Sequence, residues 1–215
     1  MSNNSRHYSA IDEAILQGQA MLETLFGKPV AQRENPAKGL SQPALASAEK
    51  KQSIGFMRVN HSGEVCAQAL YHGQMATAKN PAVRALFTTA AKEETDHLAW
   101  CQERLEELGG HTSYLNAFWY TNSFLIGLLA GLSGDPLSLG FVEETEKQVE
   151  IHLADHLRKI PSNDLKSRKI VEYMQQDEIQ HGLNARSSGA KELPYLVKKL
   201  MAFQAKVMTT LAYWI

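Results

Sequence analysis

Cysteine is scarce in this chain. There are two, Cys66 and Cys101, far apart and in no zinc or redox spacing. A disulfide framework and thiolate metal sites are thereby excluded, and the pair reads as reduced core thiols of a cytoplasmic protein. Neither sign of charge dominates: 22 Lys and Arg face 23 Asp and Glu, a formal net charge of −1. The clustered basic face that nucleic acid requires is missing, so no nucleic-acid partner is expected. Long apolar runs are missing too. The most apolar stretch, Phe124 to Leu132, is half of the roughly 20 residues a spanning helix needs. Residues 1 to 33 contain no continuous apolar segment of the kind a secretory signal carries. No Gly-x-Gly-x-x-Gly occurs, which argues against a nicotinamide-binding domain. What remains is 215 residues, 44% hydrophobic, enough to bury a sizeable core in one domain.

Against that background two short stretches stand out: Glu94-Thr95-Asp96-His97 and Glu178-Ile179-Gln180-His181. Each is a Glu-x-x-His, and residues i and i+3 of an α-helix project from one face. A carboxylate and an imidazole so placed can bind one metal ion. Glu64 precedes Glu94 by 30 residues and Glu146 precedes Glu178 by 32. The order Glu … Glu-x-x-His … Glu … Glu-x-x-His is the ligand set of a di-iron or di-manganese site inside a four-helix bundle. Its repetition suggests an internal duplication.

Helical punctuation supports four such rods. Apolar positions at Ile11, Ile15, Leu22 and Phe26 predict a helix over 8–26. Gly27, Pro29, Pro36, Gly39 and Pro43 then mark a linker or surface strap to about residue 46, with packing rather than function as its expected role. A helix over 48–79 stops at Asn80-Pro81, with Met57, Asn60, Ala67, Tyr71 and Met75 on the face of Glu64. Gly63 beside it, unfavourable within a helix by roughly 1 kcal/mol, either marks a close backbone approach or is incidental. The next helix, 81–108, has Pro81 in its first turn and a seam of Phe87, Ala90, Glu94, His97, Cys101 and Leu105. Glu93 and Asp96 are expected to be solvated. Residues 136–158 place Val142, Glu146, Val149, Leu153 and Leu157 on one face, with His152 about 120° from Glu146. The fourth helix follows residue 164 and presents Ile170, Met174, Glu178, His181 and Ala185.

Two segments differ in character. Between Tyr114 and Val142 the only charged residue is Asp135. A helix apolar most of the way round is buried or meets lipid, and Trp119, Tyr120 and Phe124 are types that favour a water–lipid boundary. Interfacial membrane contact is the expectation. Residues 194–215 carry Lys198, Lys199 and Lys206 opposite Leu196, Leu200, Phe203, Val207, Leu211 and Trp214, fitting either anionic lipid or a fifth bundle helix. The expected architecture is therefore all-α. It is a ferritin-like four-helix bundle over 47–215, carrying the interfacial and C-terminal helices and preceded by an N-terminal helix and linker over 1–46.

Four carboxylates buried without partners would each cost several kcal/mol. Two divalent ions balance them, and mixed carboxylate and imidazole ligation suits iron or manganese.

The chemistry is indicated by resemblance. Arg58-Val59-Asn60-His61-Ser62-Gly63-Glu64 with Ala67-Gln68-Ala69-Leu70-Tyr71, Glu93-Glu94-Thr95-Asp96-His97-Leu98, Glu143-Glu144-Thr145-Glu146 with His152, and Asp177-Glu178-Ile179-Gln180-His181 resemble the blocks of the demethoxyubiquinone hydroxylase family. The resemblance covers about residues 50 to 215. It implies two iron ions held by Glu64, Glu94, His97, Glu146, Glu178 and His181, with Glu94 and Glu178 bridging and His152 acting beside the ions or on the substrate. Some members of the family have a Tyr after that His, where this chain has Leu153, which puts tyrosine-assisted electron transfer there in doubt. The implied reaction is O2-dependent hydroxylation of a polyprenylated demethoxy-benzoquinol at the cytoplasmic surface of the cell membrane. Electrons would come from the quinol, from NADH or from a partner protein. Partner proteins of ubiquinone biosynthesis and a homo-oligomer are compatible with it. Rival readings are a ferroxidase or iron-storage bundle, and a non-catalytic quinone or lipid carrier.

Overall fold

The computed structural model describes residues 9–215. It has seven helices and, among the described residues, no strand: α1 (Ala10–Phe26), α2 (Ser47–Thr77), α3 (Pro81–Glu107), α4 (Asn116–Leu132), α5 (Asp135–Lys159), α6 (Leu165–Ser187) and α7 (Tyr195–Trp214). Residue 8, the expected start of α1, lies outside the described residues. Local chemistry sets the boundaries. The Asn80 side chain accepts from Ala82 N, with Pro81 in the first turn of α3. Asp164 does the same for Ser167 N at the start of α6. Gly109 and Gly189, at φ +64° and +100°, terminate α3 and α6 in a conformation other residues adopt at a cost.

Helices α2, α3, α5 and α6 form the bundle, with α2 against α3 and α5 against α6. Its core is two apolar layers. One contains Met57, Cys101, Leu105, Leu153, Ile170 and Met174; the other contains Tyr71, Phe87, Ala90, Leu139, Val142 and Ala185. On each rod the candidate ligands fall between the two layers, so they are dry at both ends.

The apolar stretch 114–142 divides at Ser133-Gly134 into α4 and the first turns of α5. Helix α4 crosses the outside of the bundle, pressed onto α2. A Cβ on Gly73 would meet the backbone of Phe124 and Leu128, and one on Gly127 would meet the backbone of Leu70. The expectation for the aromatics of α4 is corrected here. Trp119 and Tyr120 are buried, Phe124 is half-buried and stacks on Tyr120, and the exposed apolar side chains are Phe118, Leu125, Leu129 and Leu132. The helix is thus packed on one face and bare on the other. Helix α7 is anchored near its end, where Tyr213 stacks edge-on to Phe56 and its carbonyl accepts from Arg58. Leu196, Leu200, Phe203 and Trp214 stay exposed. No helix of the described residues is long and apolar enough to cross a membrane.

The segment between α1 and α2 lies across α3 and α6. Ala37 is buried in the core, Asn35 donates to Glu103, and Gln42 bonds both Asn163 and Lys166.

Candidate metal centre

All six predicted ligands meet in the middle of the bundle. Glu64, Glu94, His97 and Glu178 offer ligand atoms within 4.8 Å of one another, and so do Glu94, Glu146, Glu178 and His181. The two groups share Glu94 and Glu178. Glu94 points Oε2 at His97 Nδ1 (3.1 Å) and Oε1 at His181 Nδ1 (3.2 Å). Glu178 does the converse, with Oε1 3.4 Å from His97 Nδ1 and Oε2 3.1 Å from His181 Nδ1. Glu64 belongs to the His97 group alone, 3.8 Å from its Nδ1, and Glu146 to the His181 group alone. Every one of the six is buried.

The electrostatics fit a cation. Burial, then the neighbouring Glu94, pushes Glu64 well above the usual carboxylate range; burial, then Glu178 and Glu94, does the same to Glu146. Burial works against charge on His97, but Asp177, Glu178, Glu64 and Glu94 overcome it and hold the imidazole well above its ordinary value. His181, likewise opposed by burial, is pushed up to about 12 by Glu178 and Glu94. Glu94 stays well below the usual range despite burial, because the two histidines beside it favour its charged form. Glu94 Oε1 and Glu178 Oε1 are nonetheless buried without a hydrogen-bond partner. Two such oxygens facing a set of four carboxylates and two imidazoles are what divalent cations would satisfy.

The outer side of each imidazole is held by a residue whose role was not anticipated. His97 Nε2 lies 2.9 Å from Asp177, and His181 Nε2 lies 2.6 Å from Glu93. Each is the acidic residue directly before the Glu of the opposite tetrad, so the two helices serve one another reciprocally. Outer carboxylates of this kind fix the tautomer, leaving Nδ1 for a metal. The acid-Glu-x-x-His doublet, present in both blocks, was the available signal. Expectation also failed for Asp96, which is buried, accepting from Gln32 N and Arg33 Nε at 2.6 Å each. Tyr71 adds a 2.7 Å hydrogen bond to Glu146.

On the α5–α7 side the centre adjoins a cavity of about 50 Å³ that Glu64, Glu146 and Glu178 line. It shares Gly63, Ala67, Val149, His152 and Met208 with a mainly apolar cavity of about 120 Å³ between α2, α4, α5 and α7. Nothing approaches Gly63 within 4 Å, so its missing side chain leaves space in the cavity wall, not room for a backbone. His152 is half-buried in that wall. Among the described residues it hydrogen-bonds none of the six, and the nearby His156 bonds Asn60 instead. Cys66 lines the apolar cavity as a free thiol, and Cys101 is buried and free.

The chain is similar in sequence to known proteins. Residues 51–212 match the family model described as "Ubiquinone biosynthesis protein COQ7". A Coxiella burnetii (strain CbuG_Q212) protein named 3-demethoxyubiquinol 3-hydroxylase is 99% identical over 215 residues, all of both chains. Proteins of the same name from Polynucleobacter necessarius and Acinetobacter baumannii (strain SDF) are 52% and 51% identical. They cover 95% and 98% of this chain, and 99% and 100% of their own length. With its four-rod cluster of glutamates and histidines and this match through nearly all of the bundle, the chain belongs to the COQ7 family of ubiquinone biosynthesis proteins.

Proposed function

We propose that this chain hydroxylates the ring of a polyprenylated 3-demethoxyubiquinol, with O2 as oxidant and two iron ions held by Glu64, Glu94, His97, Glu146, Glu178 and His181. The observation that carries it is the pair of four-residue clusters sharing Glu94 and Glu178 and adjoining an apolar cavity. Two bound ferrous ions would supply the two electrons and the O2-binding position needed to place one oxygen atom in an aromatic C–H and release the other as water. Glu94 and Glu178, each with one oxygen toward either histidine, would help hold both ions; Glu64 and Glu146 would each help hold one.

The chain's own part is binding, orientation and exclusion of water. The two core layers keep solvent from the ligands. The small cavity beside Glu64 and Glu146 takes the edge of the ring, and the apolar cavity takes the first isoprene units. His152 stands at their junction. Burial lowers its pKa, so its neutral ring accepts a hydrogen bond from a quinol hydroxyl. The test is anaerobic loading with ferrous ion, then O2 and demethoxyquinol, with the hydroxylated product identified by mass. Absence of product from a fully loaded protein would refute the activity.

Loading itself has an expected proton signature. Glu64, Glu146, His97 and His181 are all shifted upward in the metal-free protein, and ligation needs them deprotonated. Uptake should therefore release protons into a weakly buffered solution and weaken as pH falls. Uptake without proton release would contradict this ligand set.

A lipid surface is part of the proposal, at the cytoplasmic face of the cell membrane. The exposed Phe118, Leu125 and Leu129 of α4 and Leu196, Leu200 and Phe203 of α7 flank the helix faces that line the apolar cavity. A polyprenyl substrate reaches such a mouth from the bilayer. Leu196→Glu with Phe203→Glu removes two apolar anchors worth about 1.5–3 kcal/mol each when buried. Partition onto vesicles should fall by more than about tenfold by that figure; unchanged sedimentation with vesicles would discard the membrane assignment.

A further inference from the structure

The two halves of the centre differ on their outer sides. His181 is backed by Glu93, whose side chain is 40% exposed at a cavity of about 440 Å³ that reaches His181 and Tyr71. Among the described residues, His181 is the only ion-pair partner of Glu93. His97 is backed by Asp177, and Asp177 is itself held: Arg33 Nη1 lies 2.8 Å from its Oδ2, the same oxygen that faces His97 Nε2. The other edge of the guanidinium, Nε, is 2.6 Å from Asp96, and Gln32 N donates to that carboxylate as well. The guanidinium also lies 5.0 Å over the Trp100 ring, and Trp100 packs 5.5 Å from His97.

Resting on the metal reading above, we propose that Arg33 is a positioning residue for the ion at His97. It locks Asp177 onto the imidazole and closes that side, so that the two metal positions exchange at different rates, slowly at His97 and faster at His181. The reasons are chemical. An imidazole whose outer nitrogen donates to a fixed carboxylate keeps its tautomer and orientation and is a better donor to metal. A guanidinium is a rigid fork that can hold two carboxylates at once, which a lysine ammonium cannot reproduce. Asp96, 3% exposed, loses its charged partner if Arg33 is removed and keeps the Gln32 N hydrogen bond, so the strap is held more weakly beside His97. Glu93 has no such clamp and faces water. Arg33 lies outside residues 51–212, so the segment before the family-matched bundle acts on its centre.

The experiment loads the full chain anaerobically with two equivalents of Fe(II) and mixes it with excess chelator, following the coloured ferrous complex. Wild type is expected to release iron in two phases of equal amplitude. Arg33→Gln should accelerate the slow phase by about 10–100-fold, the usual scale for loss of such a support, and leave the fast phase alone. Arg33→Lys should restore only part. Asn35→Ala, which frees the strap from Glu103 without touching Asp177, should release iron as wild type does. Glu93→Gln should change the fast phase only. A single phase in wild type, or an Arg33→Gln protein with wild-type rates, would overturn the inference. So would equal acceleration of both phases in Arg33→Gln and Asn35→Ala, the mark of general loosening. Wild type that takes up no Fe(II) would instead remove the metal reading, and this inference with it.

Discussion

Glu178→Ala is expected to abolish uptake at both metal positions, and turnover with it, while the bundle stays folded. Glu178 puts one oxygen toward His97 and the other toward His181, so its loss would take a ligand from each of the two proposed positions. Glu146 is in one cluster only, and Glu146→Ala should spare the ion at His97. Stability separates loss of a ligand from loss of the fold. In the metal-free protein Glu178 pairs with both buried histidines, and removing one partner of a buried ion pair costs about 3–5 kcal/mol. Metal-free Glu178→Ala should therefore melt below metal-free wild type while keeping its helical content. Ferrous ion at a hundred times its Kd should stabilise wild type by about 2.7 kcal/mol per site and the variant hardly at all. Metal per chain, melts with and without Fe(II), and product formation give the answer together. A variant that still binds two ions and hydroxylates would strike Glu178 from the ligand set.

The second large effect is expected far from the metal. Gly127 and Gly73 lie where α4 and α2 touch backbone to backbone, and a Cβ on Gly127 has the Leu70 carbonyl in its way. By helix propensity alone Gly127→Ala would stabilise by roughly 1 kcal/mol. The obstructing atoms are main chain and cannot rotate aside, so α4 must move. Overpacking of this kind costs about 1–3 kcal/mol, and Gly127→Val more. The sign of the change is the test. Gly18→Ala in α1, where nothing lies within 4 Å, should leave the melt unchanged or raise it, and Gly127→Ala should lower it. Because Trp119, Ser123 and Ile126 of the same helix line the apolar cavity, the displaced α4 should also raise KM for a polyprenyl substrate more than it lowers kcat. A Gly127→Ala protein as stable as wild type would mean that the two helices do not pack so closely.

The sequence by itself determined the rods and the six groups at their centre. Pro81, Asn80, Gly109, Asp164 and Gly189 bound helices through short-range effects of a few residues. Within a helix the 3.6-residue period fixes which side chains share a face. Glu64, Glu94, Glu146 and Glu178 each interrupt an apolar seam, so their inward direction needed no tertiary information. Only the packed structure decided what stands behind those groups. Whether Asp96 is wet or dry, whether Trp119 and Tyr120 meet lipid or core, and that Asp177 serves His97 while Glu93 serves His181, all depend on the element lying across from each residue. The Arg33–Asp177 pair, 144 residues apart in the chain, exists because the strap crosses α3 beside α6. Periodicity describes one helix at a time, and contacts between elements follow from how the helices and strap are stacked.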